Sequence, residues 1–351
     1  MLKVRNFMKI ELESLRELGG AESFLERFES AVPSEVTAKI GSTYESGVGF
    51  PTLLGEVLSA FTDGKGAFAS FFLFVIGAVM LMSLCSYSSE RMGKWGECAV
   101  GVIVSASVFA RLYPAVASVN DALDGVMSFC TAFIPVLTAA LSYGGSAASA
   151  AVGAMGASMT LGIIGAFVIP LLSGCVPLFF ALGLISGVGD NGVSGLLLRI
   201  RNFFMWAVGI ASTLLLSSIA LQSVIASSSD SAAMRAAKYA ASGAIPIVGG
   251  SVSAALGAVS SGVACIKNII GAGAITVILM MVLSPLAALL AYRFILSFAE
   301  GLLDFLGVQY GVRLFSSFRF ALDTLISVFA LCVCVLITET AILMKSGAGA
   351  V

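Results

Sequence analysis

Between Asp124 and Asp190 the chain runs for 65 residues without one charged side chain. A hydrocarbon core about 30 Å thick is crossed by a helix of about 20 apolar residues. The stretch therefore holds two spans with a long small-residue connection, or three tight ones. The rest of the chain agrees: a soluble domain carries about 25% charge, whereas these 351 residues carry 11%, with 58% hydrophobic side chains and a mean hydropathy of +1.03. This composition predicts an integral membrane protein. Of the 39 charged residues, 17 lie in residues 1–65, so a short polar segment precedes a lipid-adapted body. A net charge of −1 gives no electrostatic case for a nucleic-acid partner.

The absence of histidine excludes triad hydrolysis and His-based metal sites. The cysteines (Cys85, Cys98, Cys130, Cys175, Cys265, Cys332 and Cys334) fall in or beside apolar stretches and form no C-x-x-C pair, which reads as small buried hydrophobes. No P-loop, nucleophile–base pair or metal-ligand cluster is visible, so the sequence points to no enzyme and implies no cofactor.

Met1 to Ile10 has basic residues but no apolar core, so no cleavable secretory signal is visible: either one was removed or the first span performs insertion. Residues 1–65 read as an amphipathic helical segment. Phe24, Leu25, Phe28, Ala31 and Val32 share a face before Pro33 breaks the run. A second apolar face, Leu53, Leu54, Val57, Leu58 and Phe61, leads into the membrane.

The predicted fold is all-α and polytopic, with about 7–8 transmembrane segments. Eight stretches qualify, near 67–87, 98–119, 125–143, 159–189, 202–225, 244–266, 268–292 and 321–343. Pro170 and Pro177 interrupt one and Pro285 another. Such prolines are either packing kinks or marks of a discontinuous segment beside a conduit, because irregular backbone at membrane depth must be buried in protein or face water. Gly144–Ser158 and Gly249–Ala264 are rich in small residues, which lets helices approach closely or lets serines line a polar path.

These stretches belong to an internal similarity. Ala99-Val100-Gly101-Val102 parallels Ala207-Val208-Gly209-Ile210, and Ile134-Pro135-Val136 parallels Ile245-Pro246-Ile247. Gly144-Gly145-Ser146 parallels Gly249-Gly250-Ser251, Ile163-Ile164-Gly165 parallels Ile269-Ile270-Gly271, and Pro170 parallels Pro285. The expected organisation is a first transmembrane helix at 66–90, repeat units at 91–200 and 201–318, and a terminal helix and tail at 319–351. Arg91 and Lys94, Arg199 and Arg201, and Arg313 and Arg319 punctuate the units. By the positive-inside rule all three pairs are cytoplasmic in a parallel duplication, with the N-terminal segment on the other side. Three spans per unit would instead invert the repeats.

Ions inside a span are costly and functional by default. Four candidates stand out. Arg111 either snorkels to the nearer interface or faces a polar path, and Lys267-Asn268 reads as the loop of a hairpin. Glu300 and Asp304, four apart, share a helix face that is either solvated or lines an aqueous path. Glu339, late in the last span, is placed near an interface. The candidate conduit or hinge positions are Pro135, Pro170, Pro177, Pro246, Pro285, Gly249, Gly250 and Gly257.

At Ala237-Lys238-Tyr239-Ala240, Ala244-Ile245-Pro246-Ile247-Val248-Gly249-Gly250, Ile266-Lys267-Asn268 and Gly271, the chain resembles the stage III sporulation protein AE family, over roughly residues 60–345. The resemblance implies a multi-pass protein of the mother-cell-derived membrane around the forespore, within a channel complex needed for late forespore gene expression. Implied partners are the other stage III membrane proteins, including ring-forming and secretion-ATPase-like ones, and the stage II protein Q. Membrane lipid is a further partner, and a homo-oligomer is compatible with this reading. By analogy the protein is the membrane-embedded conduit or export platform. The alternatives are a self-sufficient secondary transporter of a small solute or a non-conducting scaffold. Family members usually begin with a signal-like segment, a feature Met1 to Ile10 does not show.

Overall fold

The computed structural model describes residues 64–87, 93–143, 147–170 and 249–345, with isolated helical positions between 55 and 62 and between 172 and 224. Apart from Leu58, which is helical and exposed, the amphipathic faces expected before residue 63 lie outside the described residues, as do Pro246 and the basic residues Arg201, Arg235 and Lys238. Every described element is helical: α1 (Lys65–Tyr87), α2 (Gly93–Tyr143), α3 (Ala147–Ile163), a π-helical turn (Ile164–Val168), α4 (Gly249–Phe305) and α5 (Gln309–Lys345). Among the described residues four stretches are long and apolar enough to cross a membrane: Lys65–Tyr87, Ala99–Ala139, Gly271–Phe305 and Gln309–Ile342. Helices are the expected solution, since lipid offers no partner to a backbone N–H or C=O.

α1 is the simplest span, with 23 residues rising about 35 Å. Phe71, Val75, Val79 and Met82 are buried at helical spacing, while Leu73, Met80 and Leu84 remain exposed on the opposite side. A helix apolar on both faces suits protein on one side and lipid on the other. α2 and α4 surpass a single crossing, with 51 and 57 residues, about 77 and 86 Å if straight.

Two expectations are corrected here. The stretches 98–119 and 125–143 are not separate spans joined by a turn, because α2 runs unbroken through Asn120-Asp121-Ala122-Leu123-Asp124. Neither proline nor glycine stands in that pentad, and both aspartates project from the surface. Likewise Lys267-Asn268 is no hairpin loop, since α4 continues through both residues. The last helix begins at Gln309, some ten residues before the expected boundary, so Arg313 and Arg319 lie inside it. Pro114, Pro135 and Pro285 all sit within continuous helices. At these three positions proline therefore does not interrupt the helix.

The helices pack as an elongated bundle. α4 lies along α5 and α2, α2 also contacts α1 and α3, and α5 reaches α3. Aromatic contacts set the register between the parallel helices α1 and α4. Tyr292 meets Phe68 and Phe71 edge-on at ring separations of 5.3 and 5.0 Å, and Phe72 meets Phe298 at 5.7 Å. α4 and α5 are antiparallel, closed by a tight turn. Gly307 adopts φ +75, its N–H reaches Asp304 O at 3.0 Å, and the Val308 N–H reaches Leu303 O at 3.0 Å. This is a Schellman cap, in which a left-handed glycine satisfies the last helical carbonyls and brings the buried Leu303 and Val308 together. Three residues on, Tyr310 donates to Met82 O of α1 at 3.3 Å.

Glycines mark the closest approaches. A Cβ on Gly311 would stand 3.0 Å from Leu303 and 3.1 Å from Met82 Sδ, whereas on Gly125 it would meet only the terminal methyl of Met281. Gly311→Val is expected to destabilise the hairpin by about 1–3 kcal/mol through overpacking, and Gly307→Ala by about 1–2 kcal/mol through its left-handed backbone. Gly125→Ala is expected to be nearly silent, since a methionine end can swing aside. Thermal unfolding of the purified protein in detergent measures all three.

Candidate functional site: ions within the apolar bundle

Two ion pairs join α4 to α5. Arg293 Nε bonds Asp323 Oδ1. About two turns along α4, Glu300 Oε2 faces Arg319 Nε at 3.1 Å, an electrostatic contact rather than an aligned hydrogen bond. Both pairs are partly open, with side-chain exposures of 46% and 33% for Arg293 and Asp323, and 20% and 35% for Glu300 and Arg319. Asp304, one turn beyond Glu300, is exposed, and Arg313 is half-buried on α5. The helical spacing expected for Glu300 and Asp304 is present, and the structure adds the partner that Glu300 faces.

Arg111 is exposed on α2, with its guanidinium 4.6 Å from the ring centroid of Phe74. A cation over an aromatic face is attracted by the ring quadrupole, which eases the cost of a charge on an apolar helix. Arg111 thus lies on the α1–α2 seam.

A third polar contact is buried. Glu339, at 6% exposure, accepts a 3.0 Å hydrogen bond from Thr160 Oγ1 of α3, itself 3% exposed. Glu339 lies toward the end of α5, enclosed where α3 packs against that helix. Thr160 stands one turn before the π-helical segment. There the Ile169 N–H reaches back to Ile164 O, five residues away, just ahead of Pro170, which has no N–H to donate.

The remaining sequence candidates are scattered. Pro135 is exposed on α2, Pro170 follows the π turn, Pro177 occupies an isolated exposed helical position, and Pro285 is half-buried in α4. Gly249, Gly250 and Gly257 belong to the first part of α4, as does Lys267. Among the described residues, the fold gathers none of these into a cluster with Arg111, Glu300 or Asp304. Arg293, Asp323 and Thr160 were overlooked. A signal existed for the first two: opposite charges lie 14 and 16 residues either side of Gly307, the spacing of an antiparallel helix pair. Thr160 had none, because a lone threonine acquires meaning only from the helix placed against it.

Removing one partner of an enclosed polar contact leaves the other unsatisfied. Thr160→Val is expected to lower stability in detergent by about 1–3 kcal/mol, whereas Glu339→Gln, which keeps an acceptor oxygen, costs less. At the more open Arg293–Asp323 pair, a double-mutant cycle with Arg293→Gln and Asp323→Asn should return a coupling of about 1 kcal/mol or below. Denaturation midpoints of the four proteins give that coupling directly.

A profile of the stage III sporulation protein AE family matches residues 50–347. The stage III sporulation protein AE of Bacillus subtilis (strain 168) is 23% identical over 259 residues, covering 74% of this chain and 64% of that relative. The matched part therefore spans less than two thirds of the relative's length. No solved structure matched. With the family profile running through the bundle from before α1 to the end of α5, and with α1, α2, α4 and α5 each apolar enough to cross a membrane, this chain belongs to the stage III sporulation protein AE family.

Proposed function

We propose that the chain is a membrane-embedded conduit or export-platform subunit of a sporulation channel complex linking mother cell and forespore, required for late forespore development. The observation that carries the reading is the partly exposed ion pairing of α4 with α5, inside stretches otherwise apolar enough to span a bilayer. Charges in such stretches generally face a bundle interior or water. Family membership supplies the sporulation setting.

In this reading the protein is multi-pass in the mother-cell-derived membrane, with its N-terminal segment on the non-cytoplasmic side. It works with ring-forming and secretion-ATPase-like stage III proteins and with stage II protein Q. The proline-bearing and small-residue elements around Pro135, Pro170, Pro177, Pro246 and Pro285, with Gly249, Gly250 and Gly257, form two similar units whose packing shapes the conduit. Thiol labelling at Gly195→Cys tests the arrangement of those units: labelling from the external face alone contradicts a parallel duplication.

A second reading, a self-sufficient transporter, draws on the enclosed Thr160–Glu339 contact beside the π turn. Buried carboxylates beside broken helices are a common form of solute or ion site. It predicts solute binding by the purified protein alone.

Function is tested in sporulating cells with a late forespore reporter. Under the conduit reading, neutral replacements at Arg111, Lys267, Glu300 and Asp304 lower the reporter toward the level of a strain lacking the protein, while complex assembly persists. If those variants sporulate normally and Gly249→Leu or Gly257→Leu abolishes assembly, the protein is a scaffold and the conduit reading is lost.

A further inference from the structure

α1 serves as a depth gauge for the bundle. Its 23 residues, about 35 Å, match one hydrocarbon core with little to spare. The aromatic contacts place Tyr292 of α4 beside Phe68 and Phe71, and Phe298 beside Phe72. At the other end Tyr310 of α5 reaches Met82 O. Counting along the helices from these contacts, Arg293 and Asp323 lie about two turns inside the Lys65 end of α1, and Glu300 with Arg319 near its middle. Asp304 and Arg313 fall in the half toward Tyr87. Ionic groups thus follow one another along a single seam, with steps of about one to two helical turns, through about half of the depth that α1 spans.

That arrangement conflicts with a lipid-facing surface. A charge at the centre of a span costs about 2.5–3.5 kcal/mol on insertion scales. The seam holds three cations and three anions, with the Arg293 and Asp323 side chains exposed to 46% and 33%. Pairing within a chain offsets part of that cost, but sealing the pairs from lipid would need closer packing than these exposures show. Elsewhere the bundle meets its surroundings with hydrocarbon, for instance Leu73 at 69% and Leu84 at 74% on α1. Leu73 lies at a depth similar to that of the ion pairs, so apolar and ionic side chains are exposed at one level, with exposed Phe294 standing next to Arg293.

We infer that the α4–α5 seam faces water within the membrane: it is a wall of the aqueous path, suited to hydrated polar solutes because its three cations are balanced by three anions. The inference rests on the conduit reading for its purpose but on the ion positions and the depth of α1 for its location. It places the wet surface on the part of α4 that carries Arg293, Glu300 and Asp304 and on the part of α5 that faces it.

The test is thiol accessibility in native membranes. Ser297→Cys, exposed between Arg293 and Glu300, and Ser316→Cys, half-buried between Arg313 and Arg319, report on the seam. Leu73→Cys, at a similar depth on α1, reports on the apolar side. Each is made in a chain whose seven cysteines are replaced by serine or alanine, and again in the native background, where added labelling is read over the native cysteines should the replaced chain misfold. The probe is a membrane-impermeant anionic thiosulfonate. Because only the hydrated thiolate reacts, the two seam positions should be modified at least about tenfold faster than Leu73→Cys. Equal, slow modification at all three positions overturns the inference, whether lipid or a second copy covers the seam. The late forespore reporter then separates the two ideas. Fast labelling with an undiminished reporter leaves the wet seam standing and removes its role as the conduit, whereas a protected seam leaves the conduit reading to be judged by the neutral replacements.

Discussion

The turn at Gly307 is the constraint on which the rest of the bundle depends. With no Cβ, Gly307 takes a left-handed conformation that caps α4 and starts α5 within four residues. Gly311 then lets α5 settle against Leu303 and Met82. Once the two helices are held in this register, Arg293 meets Asp323, Glu300 meets Arg319, and Tyr310 reaches the backbone of α1. Further along α5 the same register carries Glu339 to Thr160. Four polar contacts, spread over most of α5, thus follow from one short turn.

Within a bilayer this geometry matters more than apolar burial does. Lipid chains are as apolar as leucine, so helices gain little by hiding hydrocarbon from them, and close packing and interhelical polar contacts do more of the work. The bundle shows both. Phe315, Phe318 and Phe329 of α5 are fully enclosed, and hydroxyls such as Ser105, Ser317 and Thr340 return their protons to carbonyls of their own helix. Those hydroxyls are satisfied without a neighbour. The ionic groups are not, and they distinguish the α4–α5 seam from the surrounding apolar surface.

Much of this was legible in the sequence. Composition alone gave helices in a bilayer, the apolar run after Lys65 gave α1 nearly to the residue, and family blocks between Ala237 and Gly271 pointed to the sporulation family that the profile match later showed. The isolated ions Arg111, Glu300 and Asp304 were also visible. Segment boundaries were harder. Asp121 and Asp124, and then Lys267 with Asn268, resemble loop residues to a hydropathy argument, yet a helix passes through charge readily when neither glycine nor proline breaks it. Conversely, Pro285, read as either an interruption or a packing kink, lies inside a continuous helix.

The sequence by itself determined the solvent, the helical class and the family, because these depend on composition, on local periodicity and on short ordered blocks. Only the tertiary structure decided which ions meet. Arg293 and Asp323 are 30 residues apart and Thr160 and Glu339 are 179 apart, distances over which no local pattern speaks. Whether a charge in an apolar helix is a snorkelling side chain, half of a pair or part of a wet surface depends on the helix placed beside it. That placement is set by packing, by a glycine turn and by aromatic contacts, none of which the charged residue itself encodes.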